Sequence, residues 1–367
     1  EVSTAERNVP GRVRDDYVEL HNTTAEDLTL DGWKLVVSSS SGTRGEFLLD
    51  GCVLPAHGWR TLVEDDPELE PEYAGGWPLI DVALPWSNEG YGSVAVIATY
   101  DRAVDFVRWG GSSERPPTGA SWTDEVPLRT PQTLTVLNRV DEALDSDSAA
   151  DFCIAHPSPD EATAGCLPHL PPGGVLVSEL DSQSTDDQIE VLNVSGAPVD
   201  LAGWVLLWDC DDLGAGVVPL ASYELPDRGR LGLRDNGTTG HVSGGIMELG
   251  VNVNIDGLVP TAVGFKDPYG DVIDFLAAGG STIRWTDWND THATPTPGPG
   301  TSLSRRPGDP DTDSSDDFCL TMPNIGAAPD ACLEPLGVDL VISEVKPGRS
   351  RTIAAWVEIY NPGPDPV

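Results

Sequence analysis

The chain has 367 residues, enough for two or three domains, and its 60 acidic against 21 basic side chains give a formal charge of −39. A field of this sign repels phosphate backbones, so duplex nucleic acid is excluded as an expected partner. No apolar run is long enough to cross a bilayer, so no membrane span is expected. The acidity has two interpretations: a surface that keeps the protein soluble, or saline or cation-rich surroundings.

A short phrase recurs three times along the chain and sets its architecture. It reads Tyr-Val-Glu-Leu-His-Asn at 17–22, Gln-Ile-Glu-Val-Leu-Asn at 188–193 and Trp-Val-Glu-Ile-Tyr-Asn at 356–361. A second phrase, ending in Gly-Trp, follows the first two copies at one and the same spacing. The interval from Val18 to Trp33 recurs unchanged between Ile189 and Trp204. The chain is therefore a tandem array.

The repeat can be followed to the end of each copy, which gives its period. Asp105, in a Val-Asp-Phe phrase, corresponds to Asp274, in an Ile-Asp-Phe phrase, one period later. We predict one domain at 1–169 (copy one), a second at 170–335 (copy two) and the opening strands of an incomplete third at 336–367. Because the strand pattern runs into both ends, we expect the sequence to be a segment of a longer polypeptide.

Short apolar alternations predict an all-β fold. Within the first phrase, Val18 and Leu20 face one side of a strand and Glu19 faces the other. Many such strands separated by Gly, Pro, Asp and Ser indicate a sandwich or a barrel. Glu19 and its equivalents Glu190 and Glu358 are predicted to be solvated or paired across strands.

Each Gly-Trp pair predicts a core anchor. Glycine lets the chain turn sharply before a large ring, and buried aromatic rings dominate the cores of β-sandwiches. Trp33 and Trp204 are therefore expected between two sheets rather than stacked on a ligand. Asn22 and Asn193, at strand ends, fit the glycan acceptor pattern but also suit a turn-forming role.

Several of these phrases together resemble the lamin-tail domain, an immunoglobulin-like β-sandwich. The matching phrases are Leu-Val-Ile-Ser-Glu at 340–344, Trp-Val-Glu-Ile-Tyr-Asn-Pro-Gly at 356–363, Val-Asp-Leu-Ala-Gly-Trp at 199–204, Val-Ile-Asp-Phe at 272–275, Ser-Leu-Ser-Arg at 302–305 and the aspartate-rich run at 311–318. The resemblance implies tandem immunoglobulin-like sandwiches of a bacterial or archaeal surface type. It also implies long loops inserted at 33–105 and 204–274, and copy one departs from the family pattern at 134–139.

Aspartate runs near the end of each copy have the spacing of calcium ligands. Carboxylates at alternate positions suit Ca²⁺, although the run lacks the glycine and glutamate of a helix–loop–helix calcium site. Aspartate and serine clusters are also typical of turns. The candidate calcium ligands are Asp309, Asp311, Asp313 and Asp316 in copy two and Asp145 and Asp147 in copy one. No other cofactor is expected.

Six cysteines, three in each copy, favour an oxidising compartment. Two pairs share one spacing and one position in the repeat, which predicts the disulfides Cys153–Cys166 and Cys319–Cys332. Cys52 and Cys210 remain, and they are not equivalent, because Cys52 aligns with Tyr223. They either join the two domains or pair with the Asp-Phe-Cys cysteine of their own copy. The spacing gives little support for zinc.

The sequence lacks the groupings that catalysis needs. The histidines at 21, 57, 156, 169, 241 and 292 are scattered, none recurs in both copies, and no nucleophile elbow or phosphate-binding loop is present. We therefore expect a non-enzymatic, extracellular or cell-surface structural protein whose tandem sandwiches form a rod, filament or adhesive stalk. Edge strands that accept a neighbouring strand would give self-association.

Two alternatives remain open at this point. The first is a surface adhesin that binds calcium or carbohydrate through the acidic loops and the aromatic side chains Trp77, Trp86 and Trp288. The second is a targeting appendage of a larger secreted enzyme. Thermal melts with calcium or EDTA would test the former, and the full-length gene would test the latter.

Overall fold

The computed structural model describes residues 1–3, 16–40, 44–64, 79–80, 86, 90–123, 128–132, 135–141, 145–159, 162, 165–182, 187–210, 214–235, 237–253, 255, 260–286, 288–289, 294–333, 341–346 and 356–360. With 44% strand and 3% helix, the fold is all-β, and its several sheets are compatible with tandem β-sandwich domains. Short 3-10 turns lie at Thr99–Asp101, Ala149–Asp151 and Ser315–Asp317. Within the described chain, no helix has the length and apolar character of a membrane span.

Copy one has twelve described strands, of which ten form two sheets. The strands are β1 (Val2–Ser3), β2 (Tyr17–His21), β3 (Leu28–Thr29), β4 (Lys34–Ser39), β5 (Arg44–Leu48), β6 (Val53–Leu54), β7 (Trp59–Glu64), β8 (Leu79–Ile80), β9 (Gly92–Ala98), β10 (Arg102–Trp109), β11 (Val136–Arg139) and β12 (Phe152–Ala155). One sheet has the order β12-β11-β1-β2-β7-β8 and the other has the order β10-β9-β4-β5, with a short β3–β6 ladder besides. The β7–β8 pair is parallel, and the other pairs are antiparallel.

Copy two repeats this plan. Its strands are β13 (Val175–Asp181), β14 (Gln188–Asn193), β15 (Val199–Asp200), β16 (Val205–Cys210), β17 (Gly214–Pro219), β18 (Glu224–Leu225), β19 (Arg230–Arg234), β20 (Val242–Ser243), β21 (Ile246–Glu248), β22 (Thr261–Lys266), β23 (Val272–Ala278), β24 (Ser302–Arg305) and β25 (Phe318–Thr321). The two main sheets have the orders β20-β21-β19-β14-β13-β24-β25 and β17-β16-β22-β23, and β15 pairs with β18 in a short ladder. Beyond copy two, β26 (Val341–Lys346) and β27 (Trp356–Tyr360) form an antiparallel pair.

The same side-chain bonds shape the turn after the second strand of each copy. The Asn22 amide donates to the carbonyls of Glu26, Leu54 and Pro55, and the Asn193 amide donates to those of Ala197, Leu225 and Pro226. Both asparagines are buried. Their amide groups are thus committed inside the protein, which agrees with the turn-forming interpretation.

Each copy encloses its own apolar core. The main cluster of copy two runs from Val175 to Phe318 and includes Trp204, which is only 2% exposed. The main cluster of copy one runs from Val2 to Ile154, and Trp33 packs against it while remaining half-buried. The glycines before the two rings have φ values of +76° and +81°, a conformation that suits glycine.

The two segments expected as inserted loops contain several strands each. Strands β4 to β9 occupy much of 33–105, and β16 to β22 occupy much of 204–274. For the described parts of these segments the expectation of long loops was therefore wrong, because they contribute strands to both sheets of each copy.

Two glutamates of the repeated phrase are buried within the sheets. Glu190 is fully buried, and its carboxylate accepts hydrogen bonds from Arg230 at 2.7 Å and from Ser178 at 2.6 Å, both on neighbouring strands. Glu19 is 6% exposed and accepts a bond from Thr61 at 3.1 Å. These glutamates were predicted to be either solvated or paired across strands. Glu19 and Glu190 are paired across strands, whereas Glu358 is exposed.

Candidate functional site

An arginine at the end of β24 holds together three acidic side chains of copy two. Arg305 is 1% exposed and lies 2.6 Å from Asp274, 3.3 Å from Asp311 and 3.8 Å from Asp317. Its Nε donates to the carbonyl of Val177 at 3.0 Å. A guanidinium presents five donors in a planar fork, so one side chain can bind acceptors from several chain segments at once.

Copy one contains the same arrangement at the end of β11. Arg139 lies 2.8 Å from Asp105, 3.5 Å from Asp145 and 3.9 Å from Asp151. Each guanidinium also lies 4.7 Å from the centre of a phenylalanine ring on the next strand, Phe152 in copy one and Phe318 in copy two. We call these two groups the arginine clusters.

The aspartate run of each copy folds into a short turn that presents its acids to the arginine. In copy two, Asp317 accepts the backbone N–H groups of Thr312 at 2.8 Å and of Ser314 at 3.2 Å. Ser314 in turn caps the 3-10 turn that ends at Asp317. Copy one has the same cap, formed by Ser148 and Asp151.

The electrostatic setting differs between the two clusters. Desolvation raises the pKa of the fully buried Asp274 to about 6, against the opposing effect of Arg305. Burial also acts to raise the pKa of Asp151, but hydrogen bonds from Ser146 and Ser148 outweigh it and hold that pKa below its usual value. Each cluster thus has one guanidinium for three aspartates, and backbone or serine hydrogen bonds stabilise the buried carboxylates in addition.

The predicted calcium ligands are divided between these clusters and the surface. Asp311 and Asp145 contact the arginines. Asp309 contacts Arg230 at 2.7 Å, while Asp316 is exposed. The exposed Asp313 and the half-buried Asp147 have φ values of +50° and +55°.

Three of these acids lie close enough together to bind a cation. Oxygen atoms of Asp274, Asp311 and Asp313 lie within 4.8 Å of one another, but Arg305 is already bound to the first two. A guanidinium therefore supplies the positive charge that a cation would bring there. Sequence reasoning missed both arginines, whose signal was their recurrence at equivalent positions of the two copies.

Two disulfides lie beside the arginine clusters. Cys153 pairs with Cys166 and Cys319 pairs with Cys332, and each bond ties β12 or β25 to the segment that follows. These bonds indicate an oxidising environment. Cys52 and Cys210 are free thiols, so neither pairing considered for them occurs. Cys52 and Tyr223 occupy equivalent positions, as predicted, because their carbonyls accept hydrogen bonds from the equivalent backbone N–H groups of Leu30 and Leu201.

The tryptophans considered as sugar platforms are engaged with core rings. The Trp86 indole donates to the carbonyl of Ser38 at 2.9 Å and packs edge-on against Trp109. Trp288 lies edge-on to Phe275 at 5.5 Å. Both are half-buried, and Trp77 lies outside the described residues.

The two copies meet through the loop between β22 and β23. This loop, residues 267–271, is called here the hairpin tip of copy two. Tyr269 at its apex packs against the core of copy one, and its hydroxyl donates to the carbonyl of Leu167 at 2.8 Å. Arg129 of copy one binds both carboxylate oxygens of Asp271, at 2.7 and 3.1 Å. We call the surface of copy one formed by Arg129, Leu167 and His169 its acceptor surface.

A second polar contact lies at the same junction. His156 of copy one is 3.4 Å from Asp200 of copy two, and its hydrogen bond is the main reason that the pKa of Asp200 lies well below its usual range. Gly203 approaches so closely that an added Cβ would lie 2.3 Å from the Thr135 methyl group. The copies are therefore packed together, rather than merely joined by a linker.

Copy one has a hairpin tip of its own, between β9 and β10. Its Tyr100 is equivalent to Tyr269, by the offset that relates Asp105 to Asp274, and it is 99% exposed with a φ of +67°. Leu333 occupies the position after the last disulfide cysteine of copy two, as Leu167 does in copy one, and is 42% exposed. The tyrosine and leucine positions of the junction thus recur once more, and both of these residues are exposed.

No protein-family model matches the chain, and a search of the curated proteins finds no match.

Proposed function

We propose that the protein is a non-enzymatic extracellular structural protein whose tandem domains stack end to end into a surface rod, filament or adhesive stalk. The observation that carries this proposal is the packing of Tyr269 on the acceptor surface of copy one. A packed junction limits the angles between neighbouring domains, and a repeated junction would give an extended array.

The exposed equivalents of this junction support further stacking. Tyr100 offers a hairpin tip and Leu333 marks an acceptor surface, so a further domain could bind at either end. In an array, one hairpin tip and one acceptor surface from successive domains form a head-to-tail contact. Such heterologous contacts propagate when they do not close into a ring.

The finer identity of the domains is part of the proposal. The repeated phrases, together with two sheets per copy in the same order, support an assignment as lamin-tail-like, immunoglobulin-like sandwiches. The two disulfides and the net charge of −39 support an extracellular location, where thiols oxidise and an acidic surface keeps the array soluble.

The junction can be tested with two matched substitutions. Tyr269→Ser removes the ring and its contact with copy one, whereas Tyr100→Ser removes an equivalent ring that is exposed. Small-angle scattering and spin-label distances between the two copies should show one narrow distribution in the unaltered chain and in Tyr100→Ser. Tyr269→Ser should broaden that distribution. Equal, broad distributions in all three would contradict a rigid junction.

Assembly between chains needs its own measurement. Sedimentation and electron microscopy over a range of concentrations should show end-to-end association that Tyr100→Ser weakens and that a matched exposed change, Tyr91→Ser, does not. Compact, isolated particles at every concentration would count against self-assembly and leave only the intrachain rod.

A calcium-binding adhesin is the second candidate, and the closeness of Asp274, Asp311 and Asp313 is the observation that favours it. Thermal melts with CaCl₂ and with EDTA test it, since a ligand that binds only the folded state raises the melting temperature. Unchanged melting would remove this candidate. Carbohydrate binding and service as a targeting appendage stay predictions.

A further inference from the structure

Three metal-binding side chains converge at the junction of the two copies. The Nε2 atom of His169 lies 2.9 Å from Oδ2 of Asp271 and 3.7 Å from Oδ2 of Asp267. All three ligand atoms lie within 4.8 Å of one another. His169 follows the disulfide of copy one, whereas both aspartates belong to the hairpin tip of copy two.

Asp267 has an unusual environment for an acid. It is 0% exposed, and its Oδ1 accepts the backbone N–H groups of Tyr269 at 3.0 Å and Asp271 at 2.9 Å. Its Oδ2 is buried without a hydrogen-bond partner and faces His169. Desolvation raises the pKa of this carboxyl to about 6. A buried, unpartnered oxygen of this kind is costly unless a proton or a cation satisfies it.

We propose that His169, Asp267 and Asp271 bind a divalent cation of the Zn²⁺ class at the junction between the two copies. One imidazole nitrogen and two carboxylate oxygens form a donor set that suits zinc, which takes such ligands at about 2.0–2.2 Å. The separations of 2.9 and 3.7 Å suit atoms that share one ion at that range. Three protein ligands leave further positions for water.

The surroundings fit this assignment. Arg129 binds both oxygens of Asp271, as the outer partners of ligating carboxylates commonly do, and fixes that carboxylate in place. His169 and Asp271 also line an open cavity of about 700 Å³, next to Pro171 and Trp285, which gives an ion access from solvent. The equivalent positions in the hairpin tip of copy one are Ala98 and Arg102, so that tip lacks the ligand set.

Bound metal would tie His169 in copy one to the hairpin tip of copy two. The ion would therefore hold the junction closed, in addition to the Tyr269 and Arg129 contacts. Metal binding stands independently of the proposed rod, because it depends only on these three side chains.

Isothermal titration of ZnCl₂ into the EDTA-treated full chain tests the site. The unaltered chain and the control His241→Ala, which removes a different exposed histidine, should bind one zinc ion tightly. His169→Ala and Asp271→Asn should weaken that binding by at least about 100-fold, and Arg129→Gln by about 10-fold. His169 is half exposed, so its loss leaves the fold intact, and Asp267→Asn tests the buried ligand at constant size.

Two readouts separate a built site from loose binding to an acidic surface. X-ray absorption should show one imidazole and an oxygen shell at about 2.0–2.1 Å, and zinc should raise the melting temperature of the unaltered chain but not of His169→Ala. Weak binding of many ions that is equal in every variant would overturn the proposal. Displacement of zinc by equimolar calcium would overturn the assigned class of cation.

Discussion

Removing the arginine from each cluster should affect the two copies to different degrees. Arg305→Met leaves Asp274, only 2% exposed, without its counter-ion, and breaking a buried pair in this way costs about 3–5 kcal/mol. Arg139→Met leaves Asp105, whose side chain is 38% exposed, and exposed pairs contribute only about 0–1 kcal/mol. We expect a cost of about 1 kcal/mol in copy one, because the buried Asp151 also loses a distant partner.

The assay must resolve the copies, because each has its own core. Urea titration followed by hydrogen exchange and mass spectrometry reports the free energy of unfolding for peptides of copy one and copy two separately. Arg305→Met should destabilise copy two alone. The neighbouring Arg306→Met, an exposed change, should cost less than about 0.5 kcal/mol.

A second substitution tests the physical cause. Asp274→Asn removes the buried charge but can still accept the bond from the Val177 N–H, so Arg305→Met with Asp274→Asn should be more stable than Arg305→Met alone. Equal costs for Arg139→Met and Arg305→Met, or no recovery in the double variant, would refute the argument that an unbalanced buried charge determines the loss.

Three further predictions concern the core, the disulfides and one buried acid. Trp204→Ala should cost about 3–5 kcal/mol in urea and Trp33→Ala clearly less, because only the former ring is fully buried; similar costs would contradict this. Replacing both cysteines of the Cys319 disulfide by serine should lower the free energy of unfolding by about 3 kcal/mol, the value for a loop of about 15 residues, and should abolish any further effect of reductant on copy two. Burial raises the pKa of Glu179 from 4.5 to about 7, so the folded state holds this proton more tightly than the unfolded chain. Stability should therefore fall as pH rises from about 4.5 to about 7, and Glu179→Gln should flatten that slope in denaturant titrations; an unchanged slope would exclude Glu179 as its source.

The sequence predicted the fold class because strand phrases repeat with little change. Alternation in the first phrase marked β2 and β14, and the shared cysteine spacing marked the pairs that form. The all-β class can be predicted from such local patterns alone, because the apolar–polar alternation of a strand involves only residues that are close in sequence. The prediction that both Gly-Trp tryptophans are core anchors holds fully for Trp204, which is buried. Trp33 is only half-buried and packs at the edge of its core.

The arginine clusters could not be predicted in the same way. Arg305 meets Asp274 across 31 residues, and Arg139 meets Asp105 across 34, so no local pattern joins the partners. Arginine is also mostly exposed in proteins, which argues against placing it in a core from sequence alone. The aspartates were noticed but were considered as calcium ligands or turn formers, because composition does not show which cation faces them.

The junction was missed for a different reason: its chemistry is not repeated. At one position of the hairpin tip, copy two has Asp271 where copy one has Arg102, so the comparison of repeats gave no signal there. The asymmetry has a physical consequence, because the acceptor surface of copy one presents Arg129. A tip with Asp271 makes an ion pair on that surface, whereas a tip with Arg102 would place like charges together. The tip of copy one is therefore unsuited to another copy one.

The acceptor surface at the far end of copy two does not carry this restriction. By the offset that relates Arg139 to Arg305, the position of Arg129 is taken there by Pro295, so an approaching Arg102 meets no arginine. In the proposed stack, a copy-one tip would therefore fit a copy-two end better than a copy-one end, and unlike domains would alternate. The repeated core gives each domain its shape, and in the proposed stack the divergent tip would determine which neighbour it accepts.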